Sequence, residues 1–314
     1  MVHLTNMQSN HRPILVTGIH RSGTTWIGKM LTASGQVAYI SEPLNAHHRL
    51  GVMRSPTKYW YTYVCKENEN EFLSAFNETL NFDYHPWLEF KTLRSMKDML
   101  RMGRDWANFL RGRILKRRPL LKDPFAFFSI PWFIERLNCQ VVVSIRHPAA
   151  FASSLKRLNW PFTFQDLLEQ PLLMRDCLAA FRSTMESTDD TDIIEQSGLL
   201  WMMLYQTLGT YTTKHPEIHI VRHEDLSRDP LSGFEKLFPL LGLDFNDKAQ
   251  NAVQQSSSPS NTSQVSRNNV HTYQLNSQEN LSNWQSRMTY AEIERINAIT
   301  KDLMQEYYPD TSWG

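Results

Sequence analysis

A run of β-branched and apolar residues, Ile14 to Thr17, meets Gly18 and opens the octapeptide Gly18-Ile19-His20-Arg21-Ser22-Gly23-Thr24-Thr25. A strand that ends on one glycine, curls through a second and enters a helix leaves few folds open. Its amides converge on a point at the helix N-terminus, where they bind an anion. The helix reads from Thr24 to Ser34, with Ile27, Met30 and Leu31 at helical spacing and Gly35 as its stop. A terminal phosphate or sulfate fits such a loop. Nucleotide hydrolases place Lys directly after the second glycine. Here Thr24 stands there, and the cation sits inside the loop as Arg21. A tight turn is the plain alternative, but Arg21, Ser22, Thr24 and Thr25 supply one charge and three hydroxyls around one turn. That is more anion-binding chemistry than a turn needs.

Further strands read at Val37 to Ile40, Pro119 to Leu121, Gln140 to Ile145 and Ile218 to Arg222. The run Val141, Val142, Val143 and Ile145 is apolar enough to be buried on both faces of a parallel sheet. Helices are expected at Trp132 to Leu137, Pro148 to Leu158, Phe164 to Ser187 and Asp192 to His215. A last helix starts at the capping box formed by Thr289 and Glu292. Strands alternating with helices give an α/β fold around a mostly parallel sheet. With 314 residues and 41% hydrophobic composition the chain can bury one large core. Residues 1–314 are therefore expected as a single domain, with a polar tail (1–12), a helical insertion (47–118) and a polar, loop-like segment (254–285).

Lys and Arg number 33 against 32 Asp and Glu, so no global basic surface marks nucleic acid or an anionic membrane as the main partner. Anion binding must be local. The basic run Arg111 to Arg118 closes a helical stretch, where cations favour the helix dipole. Cys65, Cys139 and Cys177 show no C-x-x-C spacing, which suits free thiols in a reducing compartment. The first residues lack the apolar core of a signal peptide, and no stretch approaches a membrane span. The expectation is a soluble, cytoplasmic chain, with an anchor in a longer chain left open and the oligomeric state unspecified.

A second anion anchor follows the buried strand. Arg146-His147-Pro148 places an arginine at the strand end, and Ser154 lies about two turns into the next helix. Taken singly, a strand-end salt bridge and a solvated serine would explain them; the first loop reverses that preference. The same strand lacks the acid that organises Mg²⁺ in nucleotide hydrolases. His219 and His223, four apart on a strand, spread rather than converge on a metal.

The stretch His20 to Trp26 resembles the 5′ phosphosulfate loop of sulfotransferases that use 3′-phosphoadenosine-5′-phosphosulfate (PAPS), in the form with Arg where cytosolic members carry Lys. The resemblance implies a P-loop NTPase-like three-layer sandwich with a central, mostly parallel sheet and helical insertions. It implies that Arg21 holds the bridging and leaving oxygens, that Ser22, Gly23, Thr24 and Thr25 hold the 5′ phosphate, and that Trp26 stacks on adenine. Arg146 with Ser154 is similar to the family's 3′ phosphate site. Arg222-His223-Glu224-Asp225-Leu226 is similar to its strand-end segment near adenine, which gives His223 a ring contact. Arg267 and Trp284 resemble, weakly, its closing segment, with Arg267 reaching the 3′ phosphate. Segment 47–118 would then face the acceptor and 254–285 would cover the cofactor.

An alcohol acceptor needs a proton acceptor, and Glu42 follows the second strand. Its setting, Ser41-Glu42-Pro43-Leu44, looks like the Glu-Pro-Leu of carbohydrate sulfotransferases. Glu42 is the first choice for the base, with a capping or surface carboxylate as the plain alternative. Lys122 resembles the family's strand-end lysine beside the transferred sulfate. Asp123 is the alternative base or the lysine's partner, since Pro124 stands where cytosolic members carry a catalytic His. His47 and His48 adjoin Glu42 in sequence. Tyr59, Trp60, Tyr61, Tyr63 and Trp87 offer sugar-stacking rings, although packing is the commoner use. The leading expectation is metal-independent, in-line transfer of a sulfuryl group from PAPS to a carbohydrate hydroxyl, leaving 3′-phosphoadenosine-5′-phosphate (PAP). An ATP-using P-loop kinase and a non-catalytic module that binds PAP or PAPS are the alternatives.

Overall fold

The computed structural model describes residues 12–47, 49–262 and 273–310. Five strands form its sheet: β1 (Ile14–Gly18), β2 (Val37–Ser41), β3 (Arg118–Lys122), β4 (Gln140–Ile145) and β5 (His219–Arg222). Their order is β2-β3-β1-β4-β5, and every neighbouring pair is parallel. The chain runs to one side of β1 for β2 and β3, then to the other for β4 and β5. The carboxyl ends of β1 and β4 therefore flank a topological switch point, where α/β folds bind ligands.

Alternation along the strands sorts their side chains into two cores. Ile14 and Val16 of β1 pack with Ile27, Met30, Phe234 and Phe238 on one face. Leu15 joins Leu121, Val141 and Val143, with Phe127, Trp201 and Tyr205, on the other. Both faces are covered by helices, so β1 and β4 read as nearly continuous apolar runs. The architecture is the expected three-layer α/β sandwich with a parallel central sheet.

Several boundaries differ from expectation for identifiable reasons. The single helix expected from Phe164 to Ser187 is broken into short turns, including Gln165–Leu168, a five-residue π-turn at Met174–Leu178 and Arg182–Ser187. Pro171, which lacks an amide proton and clashes with the preceding turn, starts a new short helix. The polar run expected as loop from 254 begins inside the helix Asp247–Ser257, where Asn246 caps the start and Val253 and Ser256 face inward. Arg118 belongs to β3 rather than to a helix end. Its buried guanidinium donates to the carbonyls of Arg12 and Leu241 and to Gln140 Oε1. The Thr289–Glu292 capping box is present and starts the closing helix Tyr290–Tyr307. Among the described residues no helix is long and apolar enough to cross a membrane.

The junction of β1 and its loop depends on Gly18. Its φ is 146°, and a Cβ there would lie 2.2 Å from the carbonyl oxygen of Ser144 on β4. Gly18→Ala is expected to lower stability by about 3 kcal/mol, through strain and forced separation of β1 from β4. Urea unfolding measures it; an unchanged midpoint would show that the close approach is not needed.

Candidate active site

The loop after β1 is an open helix start. Gly23 is the N-cap of Thr24–Ala33, with a left-handed φ of 95° and no side-chain cap, so the first amides of the helix are left for a ligand. A Cβ on Gly23 would lie 2.5 Å from Nδ1 of His223, so glycine here lets that ring close over the loop. Arg21 is also left-handed, at φ 67°. The amide of Ser22 turns back to the carbonyl of Ile19 at 3.1 Å.

A cleft of about 910 Å³ of open space lies over this start. Arg21, Gly23, Thr24, Thr25, Trp26, Arg146, Ser154 and His223 line it together, although they come from four separated stretches of chain. Ser22 is buried behind them. The two expected anchors meet directly: Arg21 Nε donates to Ser154 Oγ at 3.2 Å, and Arg146 Nη1 donates to the Arg21 carbonyl at 2.7 Å. The Arg21 guanidinium thus bonds Ser154, its carbonyl is held by Arg146, and its head lies 5.9 Å from the ring of Trp160. Trp26 Nε1 donates to Ser256 Oγ at 2.8 Å and presents the indole edge-on to His223.

Sequence reasoning missed other residues on this cleft. Arg157 and Arg287 add two cations, and Tyr273 and Asn280 contribute a ring and an amide. Arg157 lies one helical turn beyond Ser154, so the spacing that identified the serine could have found it. Arg287 precedes the final capping box and carries no comparable signal. Burial lowers the Arg21 pKa to about 10, with Arg146 and Arg157 adding to the shift. None of the described residues lining the cleft is a carboxylate. Ser22 Oγ, Arg146 Nε and His223 Nδ1 are buried with no hydrogen-bond partner among the described residues. Converging cations and unsatisfied buried polar atoms are what an anionic ligand with more than one phosphate or sulfate group would satisfy.

Glu42 and Lys122 form a separate pair at the ends of β2 and β3, outside the lining of that cleft. The buried Lys122 ammonium contacts Glu42 Oε1, while Asn45 Nδ2 donates to Oε2 at 2.6 Å. Burial pulls the Lys122 pKa down, but Tyr39, Glu42 and Asp123 outweigh it and the net shift is upward. Asp123 is fully occupied: Oδ2 accepts from the Leu44 amide at 2.6 Å and Oδ1 from the Phe125 amide at 3.0 Å. Burial raises its pKa to about 7 despite those bonds. It acts as the cap of the turn after β3. His20 sits near Glu42, and Tyr61 accepts from its backbone amide and reaches Nδ1 at 2.8 Å. Tyr61 is therefore fully buried, whereas Trp87 is 79% exposed. His47 packs edge-on against Trp60.

Trp284 stacks on His147 with ring centroids 5.1 Å apart. Glu224 accepts from the His147 amide at 3.0 Å and from the Tyr308 hydroxyl at 2.8 Å, tying β4 to the end of the closing helix. Arg267 and His48 lie outside the described residues. Among the described residues no group of three or more His, Cys, Asp or Glu could hold a metal ion.

A family model described as a sulfotransferase domain matches residues 11–308. Similar solved structures include the sulfotransferase domain from the curacin biosynthetic pathway, at 17% identity, covering 93% of this chain and 97% of that one, with a TM-score of 0.47. The sulfotransferase STF9 from Mycobacterium avium is 13% identical, covering 98% and 80%, with a TM-score of 0.47. The mouse sulfotransferase SULT7A1 in complex with PAP is 12% identical, covering 95% and 86%, with a TM-score of 0.46. No curated protein sequence matches the chain.

The buried histidines around the cleft give the fold a pH dependence. Burial, reinforced by Arg146, lowers His147 to about 4 and His223 to about 3. Besides that burial, His147 Nδ1 accepts from the Ala149 amide at 3.2 Å, a bond it cannot keep when protonated. A depressed pKa makes the stabilising contribution complete above the unfolded value near 6.5 and lost as pH falls toward the folded value. His147→Asn keeps a capping acceptor without titrating. Between pH 7.5 and pH 5 the variant is expected to lose about 2 kcal/mol less than the wild type. Urea midpoints at the two pH values measure this; equal losses would refute the assignment.

Proposed function

The chain belongs to the sulfotransferase family, whose members draw a sulfuryl group from PAPS, and we propose that it transfers this group to a carbohydrate hydroxyl without a metal ion. One observation carries the donor reading: Arg21, Arg146, Arg157 and Arg287 converge on the open helix start at Gly23, with no carboxylate among the described residues that line it. Thr24, Thr25 and the first helical amides would hold the 5′ end, with Ser22 supporting the loop from behind. Arg146 and Ser154 would hold the 3′ phosphate, and Arg157 and Arg287, which line the same cleft, would add positive charge there. Trp26, His223 and Tyr273 would enclose the adenine. The bound donor supplies the electrophilic sulfur and the leaving phosphate.

On the acceptor side, Glu42 is the base. It takes the proton of the acceptor hydroxyl, and Lys122 and Asn45 orient its carboxylate. Asp123 is less suited, because backbone amides occupy both its oxygens. Arg21 and Lys122 stabilise the charge that develops during transfer. A sulfuryl group carries less negative charge than a phosphoryl group, so fixed cations and amides suffice for in-line transfer. What supports a carbohydrate acceptor is the likeness of Ser41-Glu42-Pro43-Leu44 to the corresponding segment of carbohydrate sulfotransferases.

Labelled-sulfate transfer to a panel of sugars, lipids, phenols and peptides tests the acceptor class, and labelling of phenols alone would refute the carbohydrate reading. Added chelator is expected to leave the rate unchanged, whereas loss of rate would show a metal requirement. Glu42→Gln is expected to lower kcat by about 10²- to 10⁴-fold while PAP affinity stays constant; wild-type turnover would exclude Glu42 as the base. Arg146→Ala is expected to weaken PAP binding by about 10- to 100-fold, measured calorimetrically, through loss of a charge-assisted hydrogen bond. Unchanged affinity would remove Arg146 from the donor site.

A further inference from the structure

The helix Met96–Ile114 turns its apolar residues the wrong way for a core. Its buried positions are Asp105, Phe109 and Gly112. Asp105 is ion-paired with Arg49, and Gly112 lies against the ring of Phe82. The opposite face carries Met96, Leu100, Trp106, Leu110 and Ile114, with Leu100 72% and Ile114 68% exposed. At about 100° per residue these positions form one outward stripe along the helix. Trp87 and Phe90, on the preceding short helix Pro86–Phe90, are exposed as well. An apolar face this continuous is not the scatter of single exposed residues that any surface shows.

The charges beside the stripe identify its partner. Lys97, Arg104 and Arg111 recur every seven residues and so line up along one margin of it. Between residues 91 and 117 there are nine Lys and Arg against two Asp. Both acids are already engaged, the partly exposed Asp98 with Ser95 and Arg101 and the buried Asp105 with Arg49 and Arg104. The whole chain carries a formal charge of only +1, so this segment concentrates a local positive surplus. A helix with Trp, Leu and Met outward and cations along its margin has the makeup of one lying in the interface of an anionic bilayer.

We propose that this face docks the protein on an anionic membrane surface, the stripe entering the headgroup region and the row of cations lying over lipid phosphates. The helix packs against β2, the edge strand, and contributes no residue to the lining of the arginine-rich cleft, so docking leaves that cleft open. The inference does not depend on the transfer reaction.

Co-sedimentation with phosphatidylcholine vesicles, with and without phosphatidylglycerol, tests it. The wild type should partition onto the phosphatidylglycerol vesicles and lose that binding in high salt, as screening requires. Leu100→Glu with Leu110→Glu should weaken partitioning by about tenfold or more, and so should Lys97→Gln with Arg111→Gln. All four side chains are exposed, and a retained thermal shift with PAP shows that each variant is folded. The charge variant, being the milder change, stands alone should the acidic one unfold. Three results would overturn the proposal: no partitioning, equal partitioning onto neutral vesicles, or variants that bind like the wild type. Concentration-dependent self-association abolished by Leu100→Glu with Leu110→Glu, without vesicle binding, would also overturn it and make the face an interface between copies.

Discussion

The clasp of β4 on the loop after β1 is the interaction on which the arginine-rich cleft depends. Ser144 Oγ donates to the Ser22 carbonyl at 2.6 Å, and two residues later Arg146 Nη1 donates to the Arg21 carbonyl at 2.7 Å. Gly18 lets the strands approach closely enough for both bonds. With its carbonyls turned toward β4, the loop leaves the first amides of the following helix for an anion. The parallel register of β1 and β4 therefore sets the direction of the whole site, before any side chain is considered.

That arrangement also concentrates like charge. The Arg146 guanidinium holds the Arg21 carbonyl, Arg157 reaches the same space from Pro148–Leu158, and Arg287 reaches it from just before the closing helix. Burial and mutual repulsion act together on Arg21, whose pKa falls to about 10. In the unliganded protein this cluster opposes folding. A multiply charged anion that binds only the native state reverses the sign of that contribution, so ligand binding and stability are coupled through the same four side chains.

Much of this was legible because it is local. The strand, the two glycines and the helix lie within one segment, and Arg146 with Ser154 needed only a strand end and a helical period. The Glu42 and Lys122 positions were read from strand ends and meet across β2 and β3 as neighbours. Arg287 and Tyr273 come from distant segments and depend on tertiary packing that no spacing rule encodes. Pro171 signals a break, yet the periodicity around it suggested one long helix. The helix Met96–Ile114 lies in a segment that the sequence marked only as helical, and its inward face, Asp105 and Gly112 beside Phe109, is set by an ion pair and a close ring contact that no apolar period encodes.

Glu42 and Asp123 show how one turn gives two neighbouring carboxylates different partners, side chains for the first and backbone amides for the second. Its φ of 48° is left-handed, a conformation that costs a non-glycine side chain of order 1 kcal/mol and persists only where neighbours enforce it. The enforcing bonds are the Glu42 amide to the Lys122 carbonyl at 2.8 Å and the return of the Asn45 amide to the Glu42 carbonyl at 3.2 Å. Asp123, one residue beyond Lys122, anchors the same turn by accepting from Leu44, the second residue after Glu42. The turn thus uses Asp123 as its internal acceptor and holds Glu42, still partly exposed, against the buried Lys122 charge. Exchanging the two carboxylates would leave the Leu44 and Phe125 amides without their internal acceptor, which is why the buried position carries Asp123 and the strained, partly exposed one carries Glu42.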